Sequence, residues 1–141
     1  MKIIITTMKI GFLLCSSPES QDGFSVGRLA DGLLSAGHSV SLFLMDDGVY
    51  HATRHATGHA TRHATGEVIG QAAGAQTGPG YSSMGLSRLL ERGARVALCA
   101  VTARSRGLGE AELDPRVELS SQYELAQMVR EADRFLAFGT A

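Results

Sequence analysis

Two apolar runs bracket a helical one, and this alternation limits the fold more than any other feature of the chain. Lys9 to Cys15 is a continuous apolar run, as expected of a central parallel strand covered on both faces. It ends in the turn-rich loop Ser16-Ser-Pro-Glu-Ser-Gln-Asp-Gly23. From Phe24 to Ala36, Val26, Leu29, Ala30 and Leu33 recur at helical spacing, and Gly37 supplies a stop. His38 to Met45 is the second strand, apolar at Val40, Leu42, Phe43 and Leu44. Strand, helix, strand within about forty residues is a βαβ unit, whose crossover is almost always right-handed.

The same alternation returns after a long interruption. Ser83 is placed to cap a helix over Met84 to Arg92, with Leu86, Leu89 and Leu90 inward and Gly93 as its stop. A strand from Ala94 to Val101 follows, and Leu108 to Leu113 reads as a short helix broken by Pro115. Arg116 to Leu119 is a brief fourth strand. Ser121 with Glu124 three residues later forms a capping box for a helix bearing Leu125, Met128, Val129 and Ala132 on one face. Arg134 to Phe138 closes the chain as a strand. Five strands alternating with helices predict a single α/β domain over residues 1–141, a three-layer α/β/α with a mainly parallel five-stranded sheet.

The interruption is residues 51–80. It contains HATRHATG twice over, His51 to Gly66, followed by a Gly- and Ala-rich stretch. Connections in compact domains usually run about 4–6 residues, so 51–80 is expected to be a flexible loop insertion. His51, His55, His59 and His63 recur every fourth residue, which on a helix sets them along one face and suits a divalent metal. Gly58, Gly66 and the β-branched threonines oppose such a helix, and the tract holds no acidic residue to complete a site. A tandem duplication tolerated in an exposed loop accounts for the repeat as well, so no metal is assigned.

Composition excludes several classes of function. At 141 residues and a formal charge of -1, the chain has no global basic field to attract nucleic acid or anionic membranes. Cys15 and Cys99 are too few for a disulfide scaffold, which fits a reducing, cytoplasmic setting. Met1 to Ser16 is apolar enough to resemble a signal peptide. Lys9 interrupts it, however, and no apolar run reaches the roughly 18–20 residues of a membrane span. Met8 begins what reads as a second start, so that Met1 to Thr7 is a dispensable extension on this reading.

In an open α/β sheet, ligands and reacting groups collect at the carboxyl ends of strands. That rule sets Cys15, Asp46, Asp47 and Cys99 along one edge. Cys99 stands near the end of its strand, Ala100 to Arg106 can open a helical turn, and Arg104 and Arg106 add positive charge. Both features favour a thiolate or a persulfide anion. The alternative is a buried structural cysteine, a common use of the residue. Cys15 has Ser16, Ser17 and Pro18 after it and no cation near in sequence, so a packed core cysteine is the better reading there. A redox pair between the two needs a proximity that sequence does not supply.

Four pieces in order carry a family resemblance. Leu33 to Tyr50 (LLSAGHSVSLFLMDDGVY), Cys99 with Arg106-Gly107 in a C-x6-R-G arrangement, Ser120-Ser121, and Ala132-Asp-Arg-Phe-Leu-Ala-Phe-Gly139 together resemble the DsrE/TusD branch of the DsrE-like sulfur-relay family. The resemblance implies a subunit that accepts sulfane sulfur as a persulfide on Cys99 and passes it on, with no metal or organic cofactor. It implies a homo- or hetero-oligomer, trimer or hexamer, of DsrE-like subunits, and a small TusA- or DsrC-like carrier as partner. Arg106 and Arg104 would then favour the anion, with Asp46, Asp47 and Tyr50 shaping its surroundings. The histidine repeat departs from the family pattern. Two other readings stand beside this one: a non-catalytic assembly or partner-binding subunit of the same fold, and a metal-binding protein using the repeat.

Overall fold

The computed structural model describes residues 6–58, 61–62, 68–69 and 84–139. Strand β1, Lys9–Leu14, leads through helix α1, Gln21–Ser35, into β2, Ser39–Leu44. A 3-10 segment, Asp46–Ala52, and a one-turn helix α2, Arg54–Thr57, follow at once. Two short strands, β3 (Thr61–Arg62) and β4 (Val68–Ile69), pair antiparallel. The chain then alternates as α3 (Leu86–Glu91), β5 (Arg95–Cys99), α4 (Ala100–Ser105), β6 (Glu118–Ser120), α5 (Gln122–Glu131) and β7 (Arg134–Phe138).

Five strands form one parallel sheet in the order β6-β5-β2-β1-β7, and the architecture is the expected three-layer α/β/α. The order explains where the helices go. From β1 through β2 and β5 to β6 the chain advances in one direction across the sheet, and right-handed crossovers put their helices on one face. The step from β6 to β7 travels the other way, so the same handedness puts α5 on the opposite face. The larger core cluster, built on Phe12, Leu14, Leu42, Leu44, Val96 and Leu98, lies under α1 and α3. Burying each such leucine or phenylalanine contributes about 1.5–3 kcal/mol. Against α5 the buried cluster is only Phe43, Ala97, Cys99 and Met128.

Several expectations are corrected. Residues 108–113 make no helix: Leu113 forms an antiparallel bridge with Thr53, and turns flank it. That bridge uses backbone groups a helix would have consumed internally. The capping box at α5 does not form either. Ser121 occupies the N-cap without a side-chain bond, and the Glu124 side chain, which would close the other half of the box, turns to Arg95 instead. The strand carrying Cys99 stops at Cys99 and not at Val101, since α4 begins at Ala100. Ser83 lies outside the described residues, and α3 has Gly85 as its N-cap.

The first eight residues of the expected loop insertion, His51–Gly58, are folded into the domain. His51, Ala52, Ala56 and Thr57 are buried. Thr53 caps α2 by accepting from the Ala56 N–H at 3.1 Å, and Gly58 ends it with φ 70. Residues 111–114 stitch this turn down: Arg54 N donates to Glu112 O at 2.9 Å and Asp114 N to Ala52 O at 2.8 Å.

Candidate functional site

The carboxyl-terminal edge of the sheet gathers the candidate residues. Leu98 stands opposite Leu44 and Leu44 opposite Leu14. One residue further on, Cys99, Met45 and Cys15 therefore follow one another across β5, β2 and β1. Ser120 of β6 flanks Cys99 on its outer side.

Cys99 is both the last residue of β5 and the N-cap of α4. Its carbonyl accepts from Thr102 Oγ1 at 3.2 Å. The side chain is 2% exposed, packed with Phe43, Ala97 and Met128, with Met45 and Leu125 at the margin of the cluster. Sequence reasoning missed this cover. Nothing local to Cys99 reports it, because it depends on the reversal of strand order that sends α5 to this face.

Arg106 lies just past α4, and its Nε donates to Asp47 Oδ1 at 3.0 Å. Arg104 is exposed in the last turn of α4. At about 1.5 Å of rise per residue, α4 carries these guanidinium-bearing residues roughly 7–10 Å along its axis from Cys99. The Arg106 side chain nevertheless folds back, its Nη1 donating to the Thr102 carbonyl at 3.5 Å while its Nε holds Asp47, and Arg104 is turned to solvent.

Asp46 is exposed and, among the described residues, is the non-glycine with positive φ, at 50°. Aspartate tolerates this region because its short side chain bonds locally. Burial first, and the Asp46 carboxylate second, raise the Cys15 thiol above its usual pKa. Cys15 is therefore held as the neutral thiol. Its backbone N–H donates to Phe138 O at 2.9 Å, fixing it where β1 meets β7.

Tyr50 and Asp47 form one wall of an open cleft of about 420 Å³, with Ser17, Glu19, Thr53 and His55 around it. Neither cysteine lines it. Between Asp47 and Tyr50, Gly48 approaches β1 so closely that a methyl group there would stand 2.0 Å from the Leu14 carbonyl oxygen.

His51, a candidate ligand by spacing, is fully buried. Its Nε2 donates to the Ser16 carbonyl at 3.0 Å, and the ring lies against Gly23, where a β-carbon would come within 2.5 Å of it. Burial pulls its pKa down to about 4, against the opposing pull of bonds to the Ser16 and Ser17 backbone. That setting removes His51 from an exposed metal face. His55 is exposed, and His59 and His63 lie outside the described residues. Among the described residues no group of three or more His, Cys, Asp or Glu is placed to hold a metal ion, and no helix is long and apolar enough to cross a membrane.

Three ion pairs that sequence reasoning missed brace this architecture. Asp114 is buried, which alone would raise its pKa, but Arg116 and Thr57 bond it and bring it to about 2. Arg95, at the start of β5, pairs with Glu118 at 2.9 Å and with Glu124 of α5 at 2.7 Å. Glu124 was visible in the sequence only as half of a capping box.

Comparison with known proteins agrees with this architecture. The model of the DsrE/DsrF-like family matches residues 8–138. The uncharacterized protein MK0008 of Methanopyrus kandleri is 27% identical over 130 residues, 92% of this chain and 93% of that protein. The uncharacterized protein MJ0989 of Methanocaldococcus jannaschii is 27% identical over 132 residues, covering 93% and 100%. Among solved structures, ychN of E. coli superposes with a TM-score of 0.66 at 25% identity, covering 94% of this chain and 100% of that one. MTH1491 of Methanobacterium thermoautotrophicum gives 0.60 at 14% identity, covering 92% and 98%, and so reports on the fold.

Proposed function

We propose that this chain, which belongs to the DsrE/DsrF-like family, is a sulfur-relay subunit that accepts sulfane sulfur on Cys99 and hands it to a partner. The family is of the sulfur-relay type. The observation that carries the finer reading is the place of Cys99: it ends β5 inside the family match and opens α4, at the edge of the sheet where reacting groups collect.

The chemistry is thiol–persulfide exchange. The Cys99 thiolate attacks the terminal sulfur of a donor persulfide, R–S–S–H. A Cys99 Sγ–S bond forms, the donor S–S bond breaks, and the donor leaves as its thiolate. Delivery is the same exchange with the acceptor thiolate as attacker. No external oxidant is consumed in either step. The partners on this reading are further DsrE-like subunits, in a trimer or hexamer, and a small TusA- or DsrC-like carrier in a reducing cytoplasm.

Burial of Cys99 favours a second reading, a non-catalytic subunit that serves assembly or partner binding. Intact mass after exposure to a low-molecular-weight persulfide donor separates the two. Gain of sulfur by the parent chain and by Cys15→Ser, with none in Cys99→Ser, is the expected result. Gain that persists in Cys99→Ser removes Cys99 as the acceptor.

A further inference from the structure

Sulfur exchange needs a donor sulfur in contact with Cys99 Sγ, yet the thiol is closed off at 2% exposure. Phe43, Ala97 and Met45 wall the thiol from the sheet, and on the open face of the sheet the cover is α5. Leu125 and Met128 of α5 belong to the cluster around Cys99. Because three crossovers lie on the other face, the described chain places no second helix behind α5.

The helix is lightly held. Met128 is its buried residue, Ser121 makes no side-chain cap, and Tyr123 in its first turn is 88% exposed. Its two ends differ. Beyond the carboxyl end the backbone is pinned twice to β1, by Lys9 N donating to Asp133 Oδ2 at 2.8 Å and Asp133 N donating to Lys9 O at 2.8 Å. At the amino-terminal half the polar tie is Glu124 to Arg95, at 2.7 Å. Arg95 is the first residue of the strand whose last residue is Cys99. The strand that carries the thiol therefore also carries the cation holding its cover.

We propose that α5 is a lid over Cys99, hinged at Ala132–Asp133, and that the Glu124–Arg95 ion pair is the latch governing access of a sulfur donor. The purpose of the lid rests on the reading of Cys99 as sulfur acceptor; the access it controls does not. Closed, the apolar cover keeps water and stray thiols from a bound persulfide. Open, it admits the in-line approach that exchange requires. Glu118, the other carboxylate on Arg95, belongs to β6 and has no lid to hold.

The test is the rate at which iodoacetamide alkylates Cys99 in the full chain, followed by intact mass with Cys15→Ser as parent. Glu124→Gln is expected to react about two- to fivefold faster, the range an exposed ion pair supports. Glu118→Gln should react no faster than the parent. Rising salt should accelerate the parent and leave Glu124→Gln unchanged. Equal rates in the parent and Glu124→Gln overturn the latch, as does equal acceleration by Glu118→Gln. Alkylation needs no sulfane sulfur, so a chain that fails to load persulfide but shows the Glu124 effect sinks the acceptor reading and keeps the lid.

Discussion

Arg106 and Asp47 meet at 3.0 Å although 59 residues separate them in the chain. The pair joins the arginine of the C-x6-R-G arrangement to the aspartate of the D-G-V-Y turn. It fastens the end of α4 to the 3-10 segment, beside the cleft that Tyr50 and Asp47 share.

Breaking that pair should have a small effect on stability. Both side chains are partly exposed, and such pairs contribute about 0.2–1 kcal/mol. Asp47→Asn is therefore expected to lower the urea midpoint slightly, with the loss vanishing at high salt. A loss of several kcal/mol would mean Asp47 has a structural duty beyond Arg106.

Gly48 should tolerate no side chain. A β-carbon there would overlap the Leu14 carbonyl, and backbone cannot swing aside as a flexible side chain does. Gly48→Ala is expected to destabilise by about 1–3 kcal/mol, as other overpacked sites do. Chemical denaturation measures it; a neutral result would show that β1 and the 3-10 segment can part without loss.

His51 should make stability depend on pH in a defined window. Its folded pKa is about 4 against an ordinary value of 6.5. Between those values the unfolded chain binds more protons, so stability rises with pH there. The contribution is complete above about pH 6.5 and is lost progressively as pH falls toward 4, on the order of 3 kcal/mol in all. His51→Gln keeps a donor for the Ser16 carbonyl and should flatten the denaturation free energy across that window. An unchanged slope would assign the dependence elsewhere.

Cys15 and Cys99 should not form an intramolecular disulfide. They end strands separated by β2, at about 4.7–4.9 Å per strand, so their Cα atoms lie roughly 9–10 Å apart, beyond the ~7 Å a disulfide spans. Diamide treatment of dilute protein is expected to leave both thiols titratable within one chain. Recovery of an intrachain Cys15–Cys99 disulfide would require the sheet edge to rearrange.

Much of the fold was legible locally. The apolar run at Lys9–Cys15, the period of Val26, Ala30 and Leu33, and the place of Cys15 and Cys99 near the carboxyl ends of their strands all follow from one side chain's relation to its near neighbours. What failed failed for a common reason. Glu124 reads as a cap until Arg95 competes for it, and 108–113 reads as a helix until Thr53 takes Leu113 into a bridge. In each case a distant partner offered a hydrogen bond or an opposite charge that the local alternative could not match.

The repeat shows the division most plainly. In its first copy Thr53 and Arg54 cap and begin a helix; in its second, Thr61 and Arg62 form a strand paired with Val68–Ile69. Identical octapeptides carry identical propensities, so sequence alone determined the alternation of strands and helices and the edge where the strands' carboxyl ends collect, and was silent on this. Tertiary structure decided it: the first copy adjoins the Ser16 carbonyl, Gly23 and the 111–114 backbone, which bury and bond it. The same holds for Cys99. Its place at a strand end was local; its burial came from a crossover whose direction reversed, and handedness then laid α5 across the thiol.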